Sequence, residues 1–496
     1  MALPPGLDPR TPVIVGVGQL LDRDGGREPI DLAADAVALA ADDAGVPGLA
    51  ARADTVAVVP MVSWRYFDPA ALVAQRIGAE PSERWYPSMG GNTPQMLLTR
   101  AAAAIAEGDS EIAIVCGAES FRTRTAARKS GETLPWAQQS ADTDQPTWGD
   151  AQKLDMGHPI EMAKGIIMPT ACYPLFENAL RHEAGRSAAE HTAAIAELWA
   201  GFSAVAATNP HAVDRVAHSA DDIATVTDSN RIIGFPYTKH MVSNPDLDAA
   251  SAAILCSARA ADEAGIPRDR WVFPWSGTDG VDPYMSVRPD FVSSAAMRVA
   301  GGAALELAGV TIEEVAHLDV YSCFPSAVEI ACAELGIPLD RQLTVYGGLP
   351  FAGGPWNNPV GHALAAMVGV LRDDAGSIGL VTANGGIIQK HAFGVYSTEP
   401  PQEGYRHVAP QFAIDAETTL VDVTDEHVGD VTVETWTVMH ARDGSMERAH
   451  AALRTPAGQR CWGFTSDADT MARMEVDDLV GVAATLDADG TLTLVG

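Results

Sequence analysis

The residues with the clearest chemical potential lie where two glycine-rich loops run into apolar helices. In the first, Gly90-Gly91-Asn92-Thr93-Pro94 leads into a segment, 94–106, whose only charge is Arg100. Pro94 suits the first turn of a helix, and Asn92 or Thr93 can cap it. The free N–H groups and partial positive charge of such a helix start form a seat for an anionic or oxyanionic group. The second loop holds Gly347, Gly348, Gly353 and Gly354 and ends in Asn357-Asn358-Pro359, with His362 about one helical turn past Asn358. A histidine there is either a hydrogen-bonded core side chain or a general base. Cys323, between Ser322 and Phe324, is either a structural cysteine or a free thiol in a loop aimed at the same pocket. Ala383-Asn384-Gly385-Gly386 closes a short apolar run. Lys390-His391 follows it as strand-end polar residues or as an anion-binding pair. Arg122, Arg124, Arg128 and Lys129 form the clearest basic cluster, fit for a phosphate or for a neighbouring acidic face.

The elements that must hold these residues alternate. Apolar runs at 13–17, 55–59 and 112–115 read as buried strands, separated by helical patterns at 30–44, 70–77 and 94–106. Such alternation predicts a mostly parallel sheet covered by helices. Residues 121–240 are richer in charge and proline, with helical stretches near 173–182 and 188–207, and read as an insertion over the first layer. The alternation resumes with strands at 249–256, 271–275 and 318–321 and helices at 293–308 and 327–335. The segment 357–385 repeats the order of 92–117: Asn-x-Pro, a helix with few charges, a small-residue turn, an apolar strand. The repeat predicts a duplicated α/β half with both buried helices aimed at one pocket. After a linker at 397–404, short alternating runs at 418–422, 431–440, 449–455, 460–465, 480–486 and 491–495 predict a small β domain, barrel-like in form.

Composition bounds the function. At 496 residues the chain needs more than one core. A net charge of -32 argues against a nucleic-acid surface. The β domain alone, 404–496, carries 16 acidic residues against 6 Lys/Arg and would repel a phosphate backbone. No apolar run approaches the roughly 18 residues of a membrane span. The N-terminus lacks a signal pattern, and the six cysteines show no metal or disulfide spacing, so reduced thiols and a cytoplasmic protein are expected.

The stretches 107–120, Pro236-Tyr237-Thr238-Lys239, 246–254, DVYSCFPS at 319–326 and 345–367 together resemble the thiolase superfamily, closest to the sterol-carrier-protein-2 type. The β domain resembles the extra C-terminal domain of the actinobacterial thiolase-like protein type 1 group. The resemblance implies a duplicated core layered α/β/α/β/α: an N-terminal half at 1–120, an inserted loop domain at 121–245, the end of that half and a connection at 246–290, a second half at 291–397, and an all-β, barrel-like domain at 398–496. It implies an acetyl-CoA acetyltransferase-like acyltransferase of lipid metabolism. No resident cofactor or metal is implied, and a coenzyme A thioester is the expected substrate or ligand. The four reactive positions of the family depart from pattern. The nucleophilic cysteine falls on Gly91, which cannot form an acyl-enzyme. The second motif places Tyr321 where an Asn or His is usual. The third reads Gly353-Gly354-Pro355 or Asn357-Asn358-Pro359, with Asn358 in place of the histidine base. The fourth reads Ala383 in place of the acid/base cysteine. Ser88 and Thr93 are the hydroxyl side chains beside Gly91. His362, Cys323 and Asn358 are therefore the candidate catalytic residues. Asn92, Asn357, Asn384, Gly385, Gly386 and His391 are candidates for holding a thioester. Ordinary thiolysis and condensation are expected to be weak or absent. The alternatives are a non-catalytic acyl-CoA or lipid-thioester binding protein, or a subunit of a larger assembly. Pairing through the core sheet edge, as thiolases do, or docking of a partner on the C-terminal domain is expected.

Overall fold

A computed structural model describes residues 3–4, 6–140, 142–150 and 157–495. Readings that touch residues 1–2, 5, 141, 151–156 and 496 lie outside the described residues. The first strands are β1 (Pro12–Leu21), β2 (Thr55–Val58), β3 (Glu83–Trp85) and β4 (Ile112–Ser120). A hairpin in the inserted segment gives β5 (Ile232–Gly234) and β6 (Tyr237–Thr238), followed by β7 (Asp248–Ser257) and β8 (Phe273–Val281). The second half adds β9 (His317–Asp319), β10 (Ile378–Gly385), β11 (Lys390–Ser397) and β12 (Arg406–Val408).

One sheet has the order β1-β7-β4-β2-β3 and the other β12-β8-β11-β10-β9. In the first, β4 runs parallel to β2 and antiparallel to β7, which in turn pairs antiparallel with β1. In the second, β10 runs parallel to β9 and antiparallel to β11, which pairs antiparallel with β8. The two halves thus repeat one topology. β8 occupies in the second sheet the place of β1 in the first, although it lies before residue 291. Its sequence, FPWSGTDGV, loses apolar character after Trp275, which is why the apolar run at 271–275 understates the strand.

Helix Thr93–Glu107 and helix Pro359–Asp373 lie between the sheets and touch strands of both. Each has a proline in its first two positions, and the first stops at left-handed Gly108. Burial on all sides is what a helix with so little charge requires. Helix Pro29–Asp43 covers the outside of the first sheet, and helix Ala295–Ala308 the outside of the second. The five layers are helix, sheet, helix, sheet, helix. The edge strand β3 is covered by the chain's own inserted segment: Trp148 bridges Trp85, its carbonyl accepts from Tyr86 N (2.9 Å), and Thr147 N donates to Arg84 O (2.8 Å).

The C-terminal strands are β13 (Gly429–His440), β14 (Met446–Arg454), β15 (Arg460–Thr465), β16 (Ala483–Leu486) and β17 (Leu492–Leu494). They order as β15-β14-β13-β16-β17, and the two edges meet at one bridge, Phe464 to Thr491, so the sheet curls into a barrel-like form around Trp436, Val438 and Leu453. Helix Ala468–Met474 packs on it, while helix Gln411–Glu417 packs on β8 and helix Ala295–Ala308 of the second half. The strand expected at 418–422 does not form. Its backbone bonds scatter instead, Val421 N to Val287 O (2.9 Å) and Arg460 N to Asp422 O (2.8 Å), without building a ladder. Among the described residues no helix is long and apolar enough to cross a membrane. All six cysteines are free and buried.

Candidate functional site

Gly91 sits at the start of the first buried helix, and the space its missing side chain would need is taken. A Cβ built there would collide with the Tyr321 hydroxyl and would lie 2.5 Å from the Asn384 carbonyl oxygen and 2.9 Å from Tyr321 Cζ. Tyr321 is buried, its phenol held far from ionisation by desolvation, and its N–H donates to Thr382 Oγ1 (2.9 Å). A second phenol arrives from the inserted segment. Tyr173, on helix Pro169–Glu183, donates to Gly386 O (3.1 Å) and accepts from Asn384 Nδ2 (3.0 Å). Its ring stacks on Phe324 at 4.3 Å. The fold therefore brings Gly91, Tyr321, Tyr173, Cys323, Asn384, Gly385 and Gly386 to one place.

Cys323 is buried beside the Tyr173 hydroxyl, with Asn384 Nδ2 at 3.9 Å from its sulfur. Burial pushes its thiol up to about 12, so a thiolate nucleophile is not present near neutrality. Asn384 Oδ1 is buried without a hydrogen-bond partner among the described residues. His391 faces Asn384 across β10 and β11, and its Nε2 lies 3.4 Å from Asp282 Oδ2, in ion-pair range but without hydrogen-bond geometry. Lys390 Nζ reaches Met89 O (3.2 Å) and ties β11 to the loop before Gly91. A cavity of about 10 Å³ remains between Tyr321, Thr382, Asn384, His391 and Phe393. That is room for about one water. Ala383 lies buried on β10 and offers no proton.

The asparagines anchor backbone. Asn92 precedes the first helix but makes no side-chain capping bond. Its backbone is already helical at φ -73° and ψ -16°, so its amide is not aimed back at the N–H groups. Instead Asn92 Oδ1 lies against Gly90 and Gly385, buried and without a partner among the described residues. Thr93 makes no cap either; its hydroxyl reaches Ser88 O at 3.5 Å. Asn358 also caps nothing. Its Nδ2 donates to Gly117 O (2.8 Å) and meets Ser251 Oγ (3.0 Å). Asn357 Nδ2 donates to Pro60 O (2.9 Å). Both pin the second helix to the first sheet.

His362 is buried, takes Gln19 Oε1 at 3.1 Å on Nδ1 and stacks on Tyr346. Desolvation, with His211 nearby, lowers its pKa to about 3. It is neutral across the physiological range, and its partners lie on β1 and the loop before the second helix. Arg122 donates to the carbonyls of Asp22 and Arg23, and Arg124 to Val62 O (3.1 Å). Arg128 and Lys129 are exposed. Two residues beside the site hold strained backbone: Trp356 at φ 47° and Ile388 at φ 48°. Such strain costs about 1–3 kcal/mol each and persists only where packing fixes it.

Sequence reasoning found the helix that carries Tyr173 but not the residue. Tyr173 and Asn384 are 211 positions apart, and nothing local marks an aromatic that will reach across that gap.

The arrangement can hold a water and fixed amide dipoles, and among the described residues it contains no nucleophile–base pair. Comparison with known proteins places it. Residues 411–491 match the profile of the thiolase-like protein type 1 additional C-terminal domain. A monomeric SCP2-thiolase like protein type 1 from Mycobacterium smegmatis is 32% identical, with 99% of each chain covered and a TM-score of 0.84. An Ltp2-ChsH2(DUF35) aldolase is similar at 19% identity and TM-score 0.59, over 78% of this chain and 98% of that one. An acetyl-CoA acetyltransferase from Syntrophomonas wolfei is similar at 17% identity and TM-score 0.54, over 78% and 99%. These last two share the fold. No curated protein matches in sequence. With its repeated half, its central helices and its additional C-terminal domain, the chain belongs to the SCP2-thiolase-like protein type 1 family.

Proposed function

We propose that this protein is a non-covalent binder of acyl-CoA or a related lipid thioester, serving acyl-CoA metabolism without acyl-cysteine chemistry. The observation that carries the reading is the Tyr321 hydroxyl standing where a nucleophile's Cβ would be at Gly91. A thiolase cycle needs a thiolate at a helix start, a base beside it and a second acid/base group. Gly91, Asn358 and Ala383 supply none of these, and Cys323 keeps its proton. What persists is the glycine scaffold and its amide dipoles, which suit a carbonyl oxygen. Thiolysis of acetoacetyl-CoA, assayed beside calorimetric titration with coenzyme A and acetyl-CoA, tests this. The expected result is saturable binding without turnover. Turnover accompanied by an acyl adduct on Cys323 would overturn it, and so would the absence of any binding.

One observation favours a second reading, membership of a larger assembly: Phe412 is 89% exposed on helix Gln411–Glu417. An aromatic so placed is an interface anchor in wait of a partner. The similar Ltp2-ChsH2(DUF35) structure pairs a thiolase-fold protein with another chain. Co-purification from a native lysate that is lost in Phe412→Ser, with coenzyme A binding absent, would select this reading over the first.

A further inference from the structure

Three helices converge, outside the site described above, on a cluster of metal-ligating side chains. Glu177 lies on helix Pro169–Glu183, His191 on helix Ala188–Thr208 and Glu329 on helix Pro325–Leu335. One ligand atom from each lies within 4.8 Å of the others. His191 Nε2 is 2.6 Å from Glu177 Oε1. The other Glu177 oxygen accepts from the Tyr237 hydroxyl (2.5 Å), which also contacts Ser326 Oγ (2.8 Å). A carboxylate held in this way by an outer hydroxyl is the arrangement that orients metal ligands.

Two further facts bear on what the cluster could hold. His191 is fully buried with its Nε2 turned to Glu177, and Glu329 Oε2 is buried and without a hydrogen-bond partner among the described residues. Two carboxylates and an imidazole also make a three-ligand set of O and N donors, with no thiolate. Such a set suits zinc, manganese or ferrous iron and leaves a coordination position open. Glu177 and His191 are closed off from solvent, and Glu329 is half-buried.

We propose that Glu177, His191 and Glu329 form a divalent-cation site that locks the inserted segment to the second half. Two carboxylate charges balance one divalent ion, so the ion enters without leaving net charge in a buried place. The locked helix begins just after the loop that carries Tyr321 and Cys323, and Ser326 donates to Tyr173 O (3.4 Å). The site therefore sets the position of both phenols from behind. Its role is structural, and no reaction step is assigned to the ion.

The test uses the full chain, freed of metal by chelator, and titrated with zinc and with manganese by calorimetry while thermal unfolding is followed. The expected result is one equivalent bound with a rise in melting temperature, and a visible ligand-field band when cobalt replaces zinc. Glu329→Gln, at the open margin, should lower affinity by at least about tenfold and abolish the band. Tyr237→Phe keeps all three ligands and should lower affinity about 10–100-fold. A wild-type chain that shows no stoichiometric binding and no thermal shift overturns the proposal and leaves a proton-sharing network. Binding that is unchanged in both variants also overturns it, since the ion then sits elsewhere.

Discussion

At the scale of single residues, the site is defined by Gly91 and by the Tyr321 phenol that takes the space beside it. Placing a sulfur at Gly91 is therefore not a one-step change. Gly91→Cys is expected to destabilise the fold by about 1–3 kcal/mol through overpacking and to give no thiolysis; denaturant melts and an acetoacetyl-CoA assay check both. His362 makes a pH prediction. Its folded pKa, about 3, lies below the ordinary value of 6.5, so the unfolded chain takes up a proton that the folded chain refuses. Its contribution is therefore whole above pH 6.5 and is lost as pH falls toward 3. The loss approaches about 1.4 kcal/mol per pH unit, or about 2 kcal/mol by pH 5. His450, lowered to about 4 chiefly by burial, acts in the same direction. Comparing His362→Gln with wild type in urea at pH 7.5 and 5 should show a smaller acid loss in the variant.

At the scale of elements, helix Pro169–Glu183 does more than roof the core. Through Tyr173 it ties the turn after β10 to the loop after β9. Tyr173→Phe keeps the stacking on Phe324 but leaves Asn384 Nδ2 and Gly386 O without their partner, so a loss of about 1–3 kcal/mol is expected in equilibrium unfolding. The helices themselves were legible because their ends are punctuated: Pro94 and Gly108, Pro325 and Gly336. The duplication was legible because Asn-x-Pro introduces both central helices. β11 went unseen as a strand because Lys390-His391 opens it with charge, and β8 was cut short by its polar second half. The segment 418–422 has strand composition, but its backbone is claimed by Val287 and Arg460. Capping by Asn92 or Thr93 was a fair inference from residue type, but the Asn92 backbone is already helical and the Thr93 hydroxyl turns to Ser88 O.

At the scale of the whole molecule, the C-terminal barrel is welded to the core. β5 of the inserted segment pairs with β13 at Gly234 and Met439. Arg460, fully buried, pairs with Glu434 and donates to the carbonyls of Met285 (3.0 Å), Ser286 (3.1 Å) and Arg288 (2.7 Å). Arg460→Met strands those three carbonyls and much of the charge on Glu434, and a loss of about 3–5 kcal/mol is expected. Because the barrel shares its sheet with the inserted segment, calorimetry should show core and barrel melting in one transition that moves down together in this variant.

The covered edge of β3 carries a consequence for lineage. Once Trp148 had lain down beside Trp85, the surface on which a sister copy would have to align was already spoken for by the chain itself. Pairing between copies and chemistry at Gly91 are then governed by different residues. Stripping Trp148 away would bare a strand edge, and no thiol would return with it.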